Sequence, residues 1–268
     1  MVEFTKMNGA GNDFVLIDNR DGAHKFSRQQ IAFLCDRHRG VGADGVLLVE
    51  SSTDLADFRM RYFNSDGGEA EMCGNGARCF ARFLDTIAGP FSEVRFETMA
   101  GLIQAAFEGN LVRLAMSRPQ RLALRRTLDI GGSKLLSHSI NTGVPHVVTF
   151  VEDLGATPVQ QWGAQIRYHE AFQPGGTNAN FVKELAPGKI AIRTYERGVE
   201  AETLACGTGV TASGLIYAEL SEARSPVRVL VQGGDWLEVG FQKIGNNFEE
   251  VTLKGPADFV FEGSIEIG

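Results

Sequence analysis

Short apolar or alternating runs recur along the whole chain: FVLID (14–18), GVLLVE (45–50), FRMRYF (58–63), LVRLAM (111–116), HVVTFV (146–151), KIAIRTY (189–195) and VRVLV (227–231). They are too short for helices, rich in β-branched and aromatic residues and separated by glycine-rich turns, so each predicts a strand. DFVFEGSIEI (258–267) predicts one more. Helical patterns are sparser. SRQQIAFLCDRH (27–38), with Ser27 as N-cap, a stretch near 161–171, and the segments after Cys73 and Cys206 predict helices. The last two, GNGARCFARFLDTIA and GTGVTASGLIYAEL, are small or apolar on nearly every face through their first turns. A surface helix would show a polar face, so both are expected to run through the middle of a sheet structure. The pattern predicts a mixed α and β class, its strands too irregularly interleaved for a plain doubly wound parallel sheet.

Shifting the chain against itself by 133 residues, the separation of Cys73 and Cys206, aligns more than the cysteines. Tyr62 falls on Tyr195, Glu69 on Glu202, Gly74 on Gly207, Gly76 on Gly209, Asn8 on Asn141 and Val15 on Val148. A duplication follows, giving an N-terminal lobe (1–120) that carries Cys73 and a C-terminal lobe (121–268) that carries Cys206, with the boundary near SRPQRLALRR (117–126). The last strand is a candidate to return to the first lobe.

A chain of 268 residues with 43% hydrophobic content can bury a substantial core. Its net charge of −7 and its lack of any dense basic cluster beyond the short RLALRR (121–126) argue against nucleic acid or an anionic membrane as partner. No run approaches the roughly 20 apolar residues of a membrane span, and MVEFTKMNGAGNDF lacks the basic and apolar regions of a signal peptide. A cytoplasmic protein acting on a small molecule is expected. Four cysteines in a chain of this size read as free thiols. The nearest pair, Cys73 and Cys79, has the wrong spacing for zinc, and GAGNDF (9–14) is too sparse in glycines for a nucleotide loop. Neither a metal nor a cofactor is expected.

The chemistry gathers at MCGNGARC (72–79) and ACGTGVTAS (205–213). A thiol at the first turn of a helix lies beside unpaired backbone N–H groups and the positive end of the dipole, which favour the thiolate. The glycines that follow let an anion such as a carboxylate approach those N–H groups. Two such motifs can hold one carboxylate between two helix starts, with a sulfur on each side of the adjacent carbon. That suits removal of a proton on one face and its return on the other, the developing charge being stabilised by the N–H groups.

KMNGAGNDFVLID, RHRGVGADGVLLVE, RYFNSDGGEAEMCGNGARCFARF, TGVPHVV, GTNANFV and RTYERGVEAETLACGTG together resemble the diaminopimelate epimerase family, in the same order and at similar spacing. The resemblance implies an α+β fold of two pseudo-symmetric lobes, each a mostly antiparallel, barrel-like sheet around a central helix, with the active site in the inter-lobe cleft. It implies cofactor-independent interconversion of LL- and meso-diaminopimelate, on the route to lysine and peptidoglycan precursors, by a homodimer. Cys73 and Cys206 match the two catalytic cysteines. Asn12, Asn64, Asn178, Glu196 and Arg197 match substrate-contacting positions, and Gly74, Asn75, Gly207 and Thr208 match the turns that grip the reacting carboxylate. His146 matches the family's histidine near the site, although a histidine entering an apolar strand also reads as a core residue. Two departures stand at positions that meet the far end of the substrate: Val144 where some members have Asn, and Gly45 where some have Gln.

Cys35 and Cys79 fall in apolar helical patterns and read as inert core thiols. Asp13 and Asp44 read as structural, and His24, His38, His138 and His169 as surface residues. Two other functions fit part of the pattern: a related amino-acid racemase, for histidine for example, on the same scaffold, and a non-catalytic dithiol redox sensor.

Overall fold

The computed structural model describes residues 1–52 and 56–268. Its contacts divide the chain into two compact units, Met1–Leu114 with Gly255–Gly268, and Ala115–Lys254. The division therefore precedes residue 120, and the terminal segment groups with the first unit rather than with 121–254.

The first unit runs β1 (Val2–Gly9), β2 (Asn12–Asp18), α1 (Arg28–Cys35), β3 (Gly45–Ser51), β4 (Phe58–Asn64), β5 (Glu69–Ala70), α2 (Gly74–Ala88), β6 (Glu93–Thr98), β7 (Gly101–Glu108) and β8 (Leu111–Ala115). β1 and β2 pair antiparallel, β2 and β3 parallel, and β3 and β4 antiparallel. β4 then shares its far edge between β5, antiparallel, and β6, parallel, and β6, β7 and β8 continue as an antiparallel meander. The second unit repeats this wiring. It runs β9 (Gln120–Ile130), β10 (Ser133–Asn141), β11 (Pro145–Phe150), α3 (Val159–Arg167), β12 (Asn178–Ala186), β13 (Lys189–Glu196), β14 (Ala201–Thr203), α4 (Gly207–Ser221), β15 (Val227–Leu230), β16 (Trp236–Ile244) and β17 (Asn247–Pro256). From β10 to β16 every pairing has the sense of its counterpart from β1 to β7, and β16 with β17 repeats the antiparallel pairing of β7 with β8. β10 is also flanked by β9, and β1 by the last strand, β18 (Asp258–Ile265), both antiparallel.

The fold is thus sheet-dominated α+β. In each unit the longest helix is the spine: α2 packs against β1, β2, β3, β4 and β7, and α4 against β10, β11, β12, β13, β15 and β16. Surrounded in this way, their first turns need no polar face, and residues 75–81 and 209–218 are buried. The short helices have local causes. Ser27 accepts a hydrogen bond from Gln30 N while the Gln30 side chain accepts one from Ser27 N, a capping box that starts α1. The helix stops short of His38 because the Asp36 carboxylate takes the N–H groups of His38 and Arg39 into a turn. α1 covers β2 and β3 over a core of Val15, Ile17, Ile31, Leu34, Val46 and Leu48. α3 does the same in the second unit over Val147, Val159, Ile166, Ala179, Phe181 and Tyr195.

Candidate functional site

Cys73 and Cys206 occupy the same place in the two units. Each is the N-cap residue of a helix of 15 residues, with extended backbone (φ −134°, ψ 122° and φ −122°, ψ 107°). The Cys73 carbonyl accepts from Ala77 N at 2.7 Å and the Cys206 carbonyl from Val210 N at 2.8 Å. The N–H groups of the three residues after each cysteine therefore precede the helical ladder and face outward from the helix start.

In the first unit a chain of side chains fixes the residues around α2. Asn75 Nδ2 donates to Asn12 Oδ1 at 2.7 Å, and Asn12 Nδ2 donates to Asp44 Oδ2 at 2.8 Å. Asn75 Oδ1 accepts from Arg78 Nη2 at 2.8 Å, and the fully buried Arg78 also donates to the carbonyls of Gly9 and Pro256. Asp44 and Asp13 share Arg37, and Asp13 pairs with Lys6 at 2.8 Å. Burial alone raises the Asp13 pKa, but hydrogen bonds from Arg37 and Lys6 outweigh it and bring the group down to about 2. Asn64 ends β4, exposed, with its backbone closing the turn to Gly67 and Gly68, and it stands outside this chain of bonds.

The second unit surrounds its thiol differently. Cys206 Sγ lies 3.6 Å from Thr208 Oγ1, which lies 2.9 Å from His146 Nε2. On another side the Glu196 carboxyl takes hydrogen bonds from Thr203 and from Cys206; burial raises its pKa and these bonds oppose the rise. His146 is buried at 1% exposure, and burial, aided by the positive charge of Arg197, pushes its pKa down to about 3, so the ring is neutral. Asn178 holds the approach of the chain after β13: its Oδ1 accepts from Arg197 N at 2.8 Å and its Nδ2 donates to Pro145 O at 3.1 Å. Arg197 Nη1 donates to Gly175 O at 3.1 Å. The structure thus gathers Asn12, Asn75 and the Cys73 helix start in one unit. In the other it gathers His146, Asn178, Glu196, Arg197, Thr208 and Cys206.

The family model described as diaminopimelate epimerase matches residues 4–122 and 138–260. The chain is 42% identical to the diaminopimelate epimerase of Aquifex aeolicus over 98% of each chain. It is also 42% identical to that of Chlorobaculum tepidum, covering 97% of this chain and all of the relative. The chain belongs to the diaminopimelate epimerase family. By structure it is similar to a hydroxyproline epimerase of Agrobacterium vitis with bound trans-4-hydroxy-L-proline (TM-score 0.71, 18% identity, 98% of this chain and 90% of that one). It is similar as well to a phenazine biosynthesis protein of Bacillus anthracis, of the PhzF family (TM-score 0.73, 16% identity, 98% and 99%). At such identities these two likenesses show a shared fold.

Of the two departures from the diaminopimelate epimerase family pattern, Gly45 has a local explanation and nothing in the structure explains Val144. A Cβ at Gly45 would stand 2.5 Å from Phe63 O and 2.7 Å from the Tyr62 ring, so the strand packing admits only glycine there. Val144 sits in the turn closed by Thr142 N donating to Val144 O at 3.2 Å. The remaining cysteines are core residues: burial raises Cys35 and Cys79 to about 12. His138 is not a surface residue. It is buried, and its Nδ1 accepts from Arg125 N at 3.2 Å. Asp44 does more than shape a turn, since it holds Asn12. Sequence reasoning missed Arg78 and Asn180. Both are polar residues inside strongly apolar elements, and that misfit is the signal that could have found them.

Proposed function

We propose that this chain inverts one α-carbon of LL-2,6-diaminopimelate to give the meso form, with Cys73 and Cys206 as its two acid–base groups. One sulfur, as thiolate, takes the α-proton and becomes a thiol. The carbanion is stabilised through its carboxylate by N–H groups at the helix starts, at Gly74 and Asn75 and at Gly207 and Thr208. The other sulfur, as thiol, delivers its own proton to the opposite face and is left as thiolate, so the reverse reaction exchanges the roles. Glu196, beside Cys206, is placed to accept the S–H when that group is protonated. Asn12, Asn64, Asn178 and Arg197 serve the amino and carboxylate groups of the substrate, a guanidinium pairing well with a carboxylate. No step draws on a metal or an organic cofactor. The reading includes a cytoplasmic homodimer; no helix among the described residues is long and apolar enough to cross a membrane.

The observation that carries this reading is the recurrence, 133 residues apart, of a thiol at the N-cap of a 15-residue helix opening Gly-x-Gly, inside a nearly full-length family match. Incubating the reduced protein with LL-diaminopimelate in D2O tests it. Deuterium entering the α-carbon together with appearance of the meso isomer is the expected result. A panel in which another amino acid exceeds diaminopimelate in kcat/KM would instead assign a racemase of different specificity.

A further inference from the structure

We propose that Asn180 is a positioning residue for Cys206: it locks the His146 imidazole as its Nε2–H tautomer and thereby turns the Thr208 hydroxyl proton toward the sulfur. The inference rests on the acid–base role given to Cys206 above.

Asn180 is a buried amide in the apolar strand β12, 1% exposed, and every polar atom it carries is engaged. Its Nδ2 donates to the Val147 carbonyl at 2.9 Å, and a carbonyl can only accept, which fixes the orientation of the amide. Thr194 Oγ1 donates to Oδ1 at 3.0 Å, in agreement. The same Nδ2 faces His146 Nδ1 at 3.2 Å, so that ring nitrogen must be the one with the lone pair. The ring is neutral, and its single proton is therefore on Nε2, facing Thr208 Oγ1 at 2.9 Å. Having accepted there, Thr208 has its own hydroxyl proton to give, and Cys206 Sγ lies 3.6 Å away. Thr142 Oγ1, donating to Thr208 O at 2.9 Å, and the helix itself hold Thr208 in place. The charged or titratable groups facing this relay are Arg197, near the ring, and Glu196, on the other side of the sulfur. The sulfur thus meets an acceptor when it carries its proton and a donor when it does not, as a group that must work in both protonation states requires. Asn180 also explains a letter of the motif: a Cβ at Gly209 would stand 2.4 Å from Asn180 Oδ1, so the second glycine of CGTG makes room for this amide.

The first test uses the unaltered protein labelled with 15N-histidine, with His146 assigned from the signals lost in His146→Gln. The expected spectrum shows Nε2 protonated and Nδ1 bare; a protonated Nδ1 would overturn the proposal. Asn180→Asp, which sets an acceptor against Nδ1, is expected to move the proton to Nδ1. Iodoacetamide alkylation of Cys206 at neutral pH should then slow about tenfold, with Cys73 changed less than about twofold, because a thiolate loses one stabilising hydrogen bond. Turnover of LL-diaminopimelate should fall about tenfold in kcat with KM nearly constant. If Asn180→Asp does not fold, Thr208→Val must give the same slowing at Cys206 and Thr208→Ser must restore it. Unchanged alkylation in Asn180→Asp or in Thr208→Val would overturn the proposal. The spectra and alkylation need no turnover, so absent deuterium exchange would count against the substrate, and a reversed tautomer in an active enzyme against the relay.

Discussion

The starts of α2 and α4 are the same piece of architecture set in different surroundings. Both are capped by a cysteine, open with Gly-x-Gly and run for 15 residues through the strands of their unit. Around Cys73, however, the neighbours are amides tied to charge: Asn75 to Asn12, Asn12 to Asp44, and Asn75 to the buried Arg78. Around Cys206 they are a hydroxyl, a neutral imidazole and a carboxyl raised in pKa by burial. The repeated wiring of the two units supplies two equivalent helix starts. What differs is the set of hydrogen-bonding groups gathered at each helix start, and in the proposed reaction the two sulfurs begin and end in opposite protonation states.

The comparison breaks most severely if either thiol is removed. Cys73→Ala and Cys206→Ala should each lower kcat for epimerisation by about 10³-fold, within the range of a lost general acid or base. A mutant that kept normal turnover would remove its cysteine from the mechanism. Next in size is the buried charge that only the first unit has. Arg78→Met leaves the acceptors of Gly9, Asn75 and Pro256 without their donor and should cost about 3 kcal/mol in urea unfolding. At the corresponding position in α4, Thr211 bonds only to Gly207 O within its own helix. Thr211→Val should therefore cost about 1 kcal/mol or less. The glycines sharpen the contrast further. Gly209→Ala must displace Asn180 Oδ1 from 2.4 Å and should cost about 2 kcal/mol, whereas at Gly76 the nearest atoms to an added methyl are 3.4 Å away on the Phe14 ring. Gly76→Ala should change Tm by only a few degrees, and a similar loss from both would end the asymmetry.

The units should also differ in acid. His146 has a folded pKa of about 3, below the ordinary 6.5, so the unfolded chain takes up the proton first. Its contribution to stability is complete above pH 6.5 and declines as pH falls from there toward 3, by about 1.4 kcal/mol per pH unit at most. Asp13, lowered from 3.8 to about 2, contributes fully above pH 3.8 and loses its share between 3.8 and 2. His146→Gln should flatten the stability curve measured between pH 6 and 4, and Asp13→Asn should flatten only the most acidic part. The reverse assignment would show that the two environments had been read the wrong way round.

Much of this was legible in the sequence where a local rule applied. The short β-branched runs became β2, β3, β4, β8, β11, β13 and β15, read from continuous apolar character where the strand is enclosed, as in β3, and from alternation where one face is buried, as in β8; the segments after the cysteines became buried helices. Where no face is consistently buried the signal fades. β9 is largely exposed, and its RLALRR reads as a boundary because charge and leucine alternate without a buried face to fix them. The candidate residues were legible as types, and their partners were not. Nothing near Asn75 announces Asn12 as its partner, 63 residues away, and Asn180 acquires a role only when β11 and β12 lie side by side in parallel register, with His146 opposite Asn178 and Val148 opposite Asn180. Hydrogen bonds between residues distant in sequence depend on that register, which no local pattern records.

The pairing of Val2 with Ile265 across β1 and β18 sets an order of assembly. As the chain leaves the ribosome, every strand of the second unit is available once residue 256 has emerged, while β1 must still wait for its partner. The half made first is finished last, and the polypeptide spends most of its synthesis with the edge of β1 uncovered, a stretch that a chaperone would have reason to hold.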